Sequence, residues 1–321
     1  MSYLTNLGNL KVDHVSIISI ENLTKNYGQV EALSGLNLDV KERAITGFLG
    51  PNGAGKTTTI SIMFQFISQD SGEVNIFDMD VRRHIEEIKK RIGYIPDASL
   101  PPIRGSKLLK HTALSAGISG SEFTIKLDSV LKLIGGKSFV DRNTKNLSKG
   151  QKQRIKVANA IITDPELIIA DEPTTGLDPV SRQSLLTLFK KLNNEDGKTI
   201  FFSNHVISEI EKICNNVIII SKGKVALEGT IHDIINELPV TNSYSLGVEG
   251  ISEKELVQLP HIETVIDLGN NMFNIKTNEN YNHSSPEFLK SVISMPNVVI
   301  NHFSKEMLQL EDIFMEVTSD E

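Results

Sequence analysis

The sequence predicts an α/β core around a partly parallel sheet, with a mostly helical insertion inside it and a small α+β module after it. Three observations carry this. Short β-branched runs alternate with longer helical patterns over the first 240 residues. Leu167–Ala170 is apolar throughout, as in a strand buried on both faces. After about Pro239 the order changes to strand, helix, two strands, helix, strand.

Val15–Ile20 and Ile45–Leu49 read as strands, the second followed by a helical pattern bearing Ile60, Met63 and Phe64. Arg82-Arg83 and Lys89-Lys90-Arg91 read as solvated helix faces, with Glu86 and Lys90 spaced for an i,i+4 pair. Between Ile103 and Asn146, glycines break helix-like segments such as Lys107–Leu114 and Leu127–Leu133, which marks the insertion. Asp178-Pro179 reads as an N-cap with proline at the first helical position, and Leu185, Leu188, Phe189 and Leu192 form the core-facing stripe behind it. Thr199–Ser203 and Val217–Ile220 are further strands, and Ser221-Lys222-Gly223-Lys224 is a hairpin turn closing this part.

The last segment reads as strand Ser243–Val248, helix Glu253–Leu259, two strands around Gly269-Asn270-Asn271, a helix capped by Ser285-Pro286 and strand Val298–Phe303. That βαββαβ order matches a ferredoxin-like module. A closing amphipathic helix over Met307–Val317 places Leu310, Ile313, Phe314 and Val317 on one face.

The 321 residues leave room for two domains of about 150 residues each. No apolar stretch approaches the roughly 18–20 residues that span a bilayer, and Met1–Asp13 lacks the basic and apolar regions of a cleaved leader. The single cysteine, Cys214, excludes an intrachain disulfide and a cysteine metal cluster, and is most simply a small buried residue. Net charge is −7, from 33 basic and 40 acidic residues. From Thr241 to Glu321 four basic residues face thirteen acidic ones, so the surplus sits in the tail. Neither half carries the basic footprint of a nucleic-acid binder.

Gly50-Pro51-Asn52-Gly53-Ala54-Gly55-Lys56-Thr57 fits G-x-x-x-x-G-K-[ST] in full, with a strand before it and a helix after it. The glycines let successive backbone N–H groups form an anion nest, and the helix N-terminus adds about half a positive charge. Lys56 supplies an ammonium for the outer phosphates, and the Thr57 hydroxyl suits magnesium. Together with Thr58 these residues predict a phosphate loop for a nucleoside triphosphate. Asp171-Glu172, at the end of the inner strand, lies where ligands bind in open α/β sheets. Asp171 then serves the magnesium ion and Glu172 polarises a water as general base. An acidic pair capping a strand is common in isolation, and the phosphate loop is what gives this pair a chemical reading.

With these motifs the chain resembles the ATP-binding cassette (ABC) family over about residues 16–238. Leu147-Ser148-Lys149-Gly150-Gln151 looks like the family signature. Tyr27 resembles the aromatic that stacks on adenine, Gly176-Leu177-Asp178 the loop that crosses the dimer, and His205 the switch histidine. Ser148 with Gln151 also fits a capping box, and a capped helix N-terminus is itself an anion site. Two positions depart from the family pattern. Lys149 replaces a glycine of the signature, either pointing outward or adding charge near phosphate. Asp97 stands where a glutamine is usual, as a further participant at the magnesium water shell.

The resemblance implies an ATPase subunit working as a pair, expected as a homodimer, with each ATP held between Lys56 of one copy and Ser148 and Gly150 of the other. It implies a separate membrane permease as partner, export as the direction, no nucleic-acid partner, and a place at the inner face of the cell membrane. The expected layout is an N-terminal extension over 1–15, an ATPase domain over 16–238 with its helical part at about 98–160, and an accessory domain over 239–321. The competing reading is a soluble cassette ATPase of DNA repair or translation.

Overall fold

The structure, a computed structural model, describes residues 16–237, 242–278, 286–306 and 310–318. These divide into two compact units: one runs to Ile231 and takes in the chain end from Phe314, the other spans His232–Ile313. Residues 1–15, with Val15 of the expected first strand, and Ser285, Met307 and the side chain of Val317, all named above, lie outside the described residues.

In chain order the first unit holds β1 (Ser16–Tyr27), β2 (Val30–Lys41), β3 (Ile45–Leu49), α1 (Lys56–Met63), β4 (Ser71–Ile76), β5 (Met79–Asp80), α2 (Val81–Arg91) and β6 (Ile92–Ile95). It continues with α3 (Gly105–Ser115), α4 (Gly120–Ile134), α5 (Lys149–Ile161), β7 (Leu167–Ala170), α6 (Pro179–Asn194), β8 (Thr199–Asn204), α7 (Ile207–Ile213), β9 (Asn216–Ser221) and β10 (Lys224–Thr230).

One sheet has the order β10-β9-β3-β8-β7-β6. Its strands are parallel except β10, which pairs antiparallel with β9. Every residue of β3, β7 and β8 is buried, as in a sheet covered on both faces. Leu167–Ala170 is the expected inner strand, paired on its two sides with β6 and β8. Parallel pairing sends the loops after β3, β6, β7 and β8 out of the same edge, and that places the site.

The second sheet, β2-β1-β4-β5, is antiparallel. Ile18, Leu36 and Val74 from it share a core cluster with Phe48, Ile60, Met63 and Phe201, so α1 is clamped between the two sheets. Burying each such side chain is worth about 1.5–3 kcal/mol. The α3–α5 segment supplies the helical insertion, and the expected Lys107–Leu114 and Leu127–Leu133 fall inside α3 and α4. On α6, Leu186 is buried beside Leu185, Phe189 and Leu192, whereas Leu188 of the expected stripe is only half-buried. The basic runs lie on an exposed face as expected, with Arg82, Arg83, Lys89 and Lys90 exposed and Arg91 half-buried, and several of them are ion-paired. Arg82 pairs with Asp80 at 2.8 Å, Lys89 rather than Lys90 meets Glu86 at 3.9 Å, and Arg91 meets Glu166 at 2.7 Å with its guanidinium over Phe77.

The second unit starts within α8 (Ile231–Glu237) and holds β11 (Ser243–Glu249), α9 (Glu253–Leu256), β12 (Ile262–Gly269), β13 (Met272–Thr277), α10 (Glu287–Ile293) and β14 (Val299–Lys305). Its antiparallel sheet has the order β12-β13-β11-β14. Tyr244, Leu246, Phe273, Ile275, Phe288 and Val292 form its core. Asn270 and Asn271, both left-handed at φ 53° and 60°, make the two-residue turn that pairs Gly269 with Met272. The last helix, α11, runs over Leu310–Thr318. Among the described residues no helix is long and apolar enough to cross a membrane.

Candidate nucleotide site

The phosphate loop leaves β3 at Gly50 and turns into α1 at Lys56. A methyl group on Gly50 would lie 2.6 Å from the Ile220 carbonyl, so β9 packs too closely for any side chain. Gly55 is doubly constrained: its φ is 112°, and a Cβ would meet the Ala32 carbonyl at 2.8 Å. Pro51, Asn52, Gly53 and Thr57 are exposed at the loop surface, Ala54 is buried beneath it and Thr58 is half-buried.

Lys56 is only 5% exposed. Its Nζ donates to the carbonyls of Gly50 at 2.7 Å and Pro51 at 3.1 Å, inside its own loop. Burial lowers its pKa, while Glu172 and Asp171 oppose that shift. The Glu172 Oε1 lies 3.8 Å from this ammonium. Its Oε2 lies 3.3 Å from His205 Nδ1 and accepts from the Thr175 hydroxyl at 2.9 Å. Glu172 thus stands between the phosphate-loop lysine and the histidine beyond β8. Its own backbone is left-handed, at φ 44°, a conformation unusual for a glutamate and frequent where geometry serves function.

Asp171 is 4% exposed. Burial raises its pKa, hydrogen bonds from Ser203 and Thr57 pull it back, and the negative charges of Glu172 and Asp97 push it further up. The Thr57 hydroxyl and the Asp171 carboxylate are oxygen donors of the kind a hard divalent cation takes, while among the described residues no group of three or more His, Cys, Asp or Glu side chains is placed to hold a metal ion. The same burial, with Asp171 and Asp97 nearby, pushes the Tyr94 phenol up to about 12. Ser203 ties the pair together: its hydroxyl donates to Asp171 Oδ1 at 2.6 Å and accepts from the Glu172 amide at 2.9 Å. The motif reading used Ser203 and Asn204 only to place His205. The contacts of Ser203 lie more than 30 residues away in sequence, so no local pattern marks it.

Ser148 and Gln151 form the expected capping box at the start of α5, with Gln151 N donating to Ser148 Oγ at 3.2 Å and Ser148 N to Gln151 Oε1 at 3.1 Å. This segment sits against the Gly176–Ser181 stretch. A Cβ on Gly150 would be 2.4 Å from Ser181 Oγ, and one on Gly176 3.3 Å from Lys149 Nζ. The Lys149 ammonium therefore rests against the Gly176 backbone. Asp178 caps α6 by accepting from the amides of Val180 at 3.1 Å and Ser181 at 2.9 Å. Among the described residues, no hydrogen bond or ion pair joins residues 148–151 to residues 50–58 within the single chain. Tyr27, 49% exposed, ends β1, with Lys25 Nζ 5.7 Å from its ring centre.

One contact went unread in the sequence. Lys156, on α5, donates to the carbonyls of Pro96 at 2.9 Å and Asp97 at 3.1 Å. Cys214 is partly rather than fully buried as a residue, but burial of its thiol raises the thiol pKa well above the usual range.

The family model described as ABC transporter matches residues 33–175. The linearmycin resistance ATP-binding protein LnrL of Bacillus subtilis (strain 168) is 32% identical over 78% of this chain and 81% of its own length. The bacitracin transport ATP-binding protein BcrA of Bacillus licheniformis is 38% identical over 66% of this chain and 69% of its own. Among solved structures, the dimeric post-hydrolysis state of the ATP-binding cassette MJ0796 bound to ADP and Pi has a TM-score of 0.60 at 27% identity, covering 66% of this chain and 98% of that one. The phosphate loop, the paired carboxylates and these likenesses have one reading: the chain belongs to the ABC transporter family, as an ATP-binding subunit that hydrolyses ATP for transport.

Proposed function

We propose that two copies of this chain close around two molecules of Mg-ATP and drive a separate export permease from the inner face of the membrane. The observation that carries this reading is the seat of Glu172, 3.8 Å from Lys56 and 3.3 Å from His205 at the mouth of the phosphate loop. The loop amides and Lys56 bind the β- and γ-phosphates, and Tyr27 stacks on adenine. Thr57 and Asp171 hold magnesium, with Asp97 on its water shell; the ion neutralises phosphate charge when bound. Glu172 takes a proton from the attacking water, a role worth about 10²–10⁴ in rate. His205 contacts the γ-phosphate.

The capped N-terminus of α5, with Ser148, Gly150 and Gln151, which among the described residues makes no hydrogen bond or ion pair with its own phosphate loop, receives the γ-phosphate bound by the second copy, while Asp178 crosses to that copy. The name of one relative, the Nod factor export ATP-binding protein I of Cupriavidus metallidurans, supports export as the direction. In this reading residues 16–238 are the ATPase domain, with the helical part at about 98–160 passing its movement to the permease. Residues 239–321 are an accessory domain of ferredoxin-like type, supported by the strand order β12-β13-β11-β14 with helices after the first and third strands in sequence.

The test is Glu172→Gln in the full chain. ATP binding is expected to persist, turnover to fall by about 10²–10⁴ and the closed dimer to accumulate with Mg-ATP. Full ATPase activity in that variant overturns the role of Glu172, and a strictly monomeric variant under saturating Mg-ATP with its permease present overturns the paired arrangement.

A further inference from the structure

Two buried polar residues, one ending β8 and one on α7, have no part in the chemistry described so far. Asn204 is fully buried, and its side-chain amide is fully engaged. Its Oδ1 accepts from the backbone amides of His205 at 2.7 Å and Val206 at 3.0 Å, which fixes the loop that carries the histidine. Its Nδ2 donates to Glu209 Oε2 at 2.6 Å and to Thr174 Oγ1 at 3.4 Å. Glu209, on α7, is 2% exposed. Its other oxygen faces Arg182 Nε at 3.1 Å, an ion pair with no aligned hydrogen bond on either atom. Arg182 belongs to the first turn of α6, the helix capped by Asp178, and its Nη2 reaches the Leu177 carbonyl at 3.4 Å.

A carboxylate is costly to bury, and an apolar side chain fills such a space without that cost. What Glu209 contributes therefore lies in what it holds. It is gripped on one side by the segment Leu177–Arg182 and on the other by the amide that shapes the His205 turn. A continuous polar chain runs from Leu177 through Arg182, Glu209 and Asn204 to the backbone of His205, whose ring faces Glu172.

We propose that Glu209 is a positioning residue for ATP hydrolysis, coupling the Asp178 loop to the His205 loop, so that seating of the first against a second copy of the chain sets the second against the γ-phosphate. This deepens the function proposed above and rests on its reading of His205 and Asp178. A shift of the Asp178 loop on pairing is then carried by Arg182 and Glu209 to the histidine. The two ATP sites of the pair thereby become competent together.

The experiment compares full-length Glu209→Gln, Arg182→Met, the double variant and His205→Ala for kcat, KM for ATP and Tm. Glu209→Gln keeps an acceptor for Asn204 and removes only the charge that faces Arg182. Each single change at the pair is expected to lower kcat about tenfold, in the range of ordinary coupling effects, with KM within about twofold. Because the two residues act as one link, the double variant is expected to be no slower than the slower single variant. A merely structural role would lower Tm and the active fraction while leaving kcat per nucleotide-binding molecule unchanged, and that result overturns the proposal. Multiplicative losses in the double variant also overturn it. Should Glu209→Gln fail to fold, Arg182→Met, altered at a half-exposed side chain, decides the matter by the same kcat criterion. His205→Ala separates the two readings. If it keeps full activity, the role of His205 fails and the coupling with it; if it is inactive while Glu209→Gln stays fully active, only the coupling fails.

Discussion

Lys156 donates to the main-chain carbonyl of Asp97 across 3.1 Å, and so ties the loop after β6 to the helix that opens with the signature. It also reaches the Pro96 carbonyl. The partial burial of this ammonium lowers its pKa, an effect that the charge of Asp97 opposes. Lys156→Met is expected to release both carbonyls and to cost about 1–3 kcal/mol, the net worth of hydrogen bonds to a charged donor, read as a lower midpoint in urea denaturation. Lys156→Arg keeps donors in reach and is expected to lose less than half as much.

That contact also marks where sequence reading stops. The phosphate loop was legible because strand, turn and helix are consecutive, and each glycine answers a local demand of backbone or packing. Leu167–Ala170 was legible because burial on both faces removes alternation altogether. The antiparallel sheet of the first unit, β2-β1-β4-β5, was not, apart from the start of β1. Bulges near Asn22 shift its register, so Ile18, Ile20 and Leu23 all point inward without a steady period of two. Lys156, Ser203 and Glu209 carry no motif because their partners are set by tertiary packing. The box at Ser148 is the opposite case, satisfied wholly within four residues.

The two glycines inside the phosphate loop separate strain from crowding. Gly53 has a φ of 83° with open space where a Cβ would stand, so Gly53→Ala is expected to cost only the left-handed penalty of about 1–2 kcal/mol. Gly55 has a φ of 112° and would drive a Cβ to 2.7 Å from Leu33 Cδ2. Gly55→Ala is expected to distort the loop, abolish ATP binding and cost about 3 kcal/mol or more. Isothermal titration with ATP, alongside thermal melts, distinguishes the two.

Asp171 gives a pH-dependent trade between stability and activity. Its pKa is raised in the folded chain, chiefly by burial. An acid so raised contributes stability that is complete below the ordinary carboxylate value of about 3.9 and is lost as pH climbs through the higher folded value. At neutral pH the nucleotide-free chain therefore carries an unfavourable buried charge. Asp171→Asn is expected to raise Tm there by roughly 2–4 °C, what about 1 kcal/mol yields in a domain of this size, while ATP hydrolysis is lost. The stability advantage is expected to shrink on acidification, and melts across the acid range in metal-free buffer check the sign.

Ser203 supports both acidic residues at once, as donor to Asp171 and acceptor for the Glu172 amide. The second bond holds a backbone amide in a residue whose φ of 44° is itself costly. Ser203→Ala leaves that amide without its partner, at about 1–3 kcal/mol, and frees the Glu172 turn to relax. It also removes one of the bonds that lower the Asp171 pKa, so this carboxylate is expected to hold its proton to higher pH. Movement of a catalytic group by about 1 Å costs on the order of 10²-fold in rate. Ser203→Ala is therefore expected to cut kcat about 10- to 100-fold while the phosphate loop, which it does not touch, binds ATP as before. Unchanged kcat would mean that Thr175, His205 and Lys56 suffice to hold Glu172, because those three side chains remain within 2.9, 3.3 and 3.8 Å of its carboxylate.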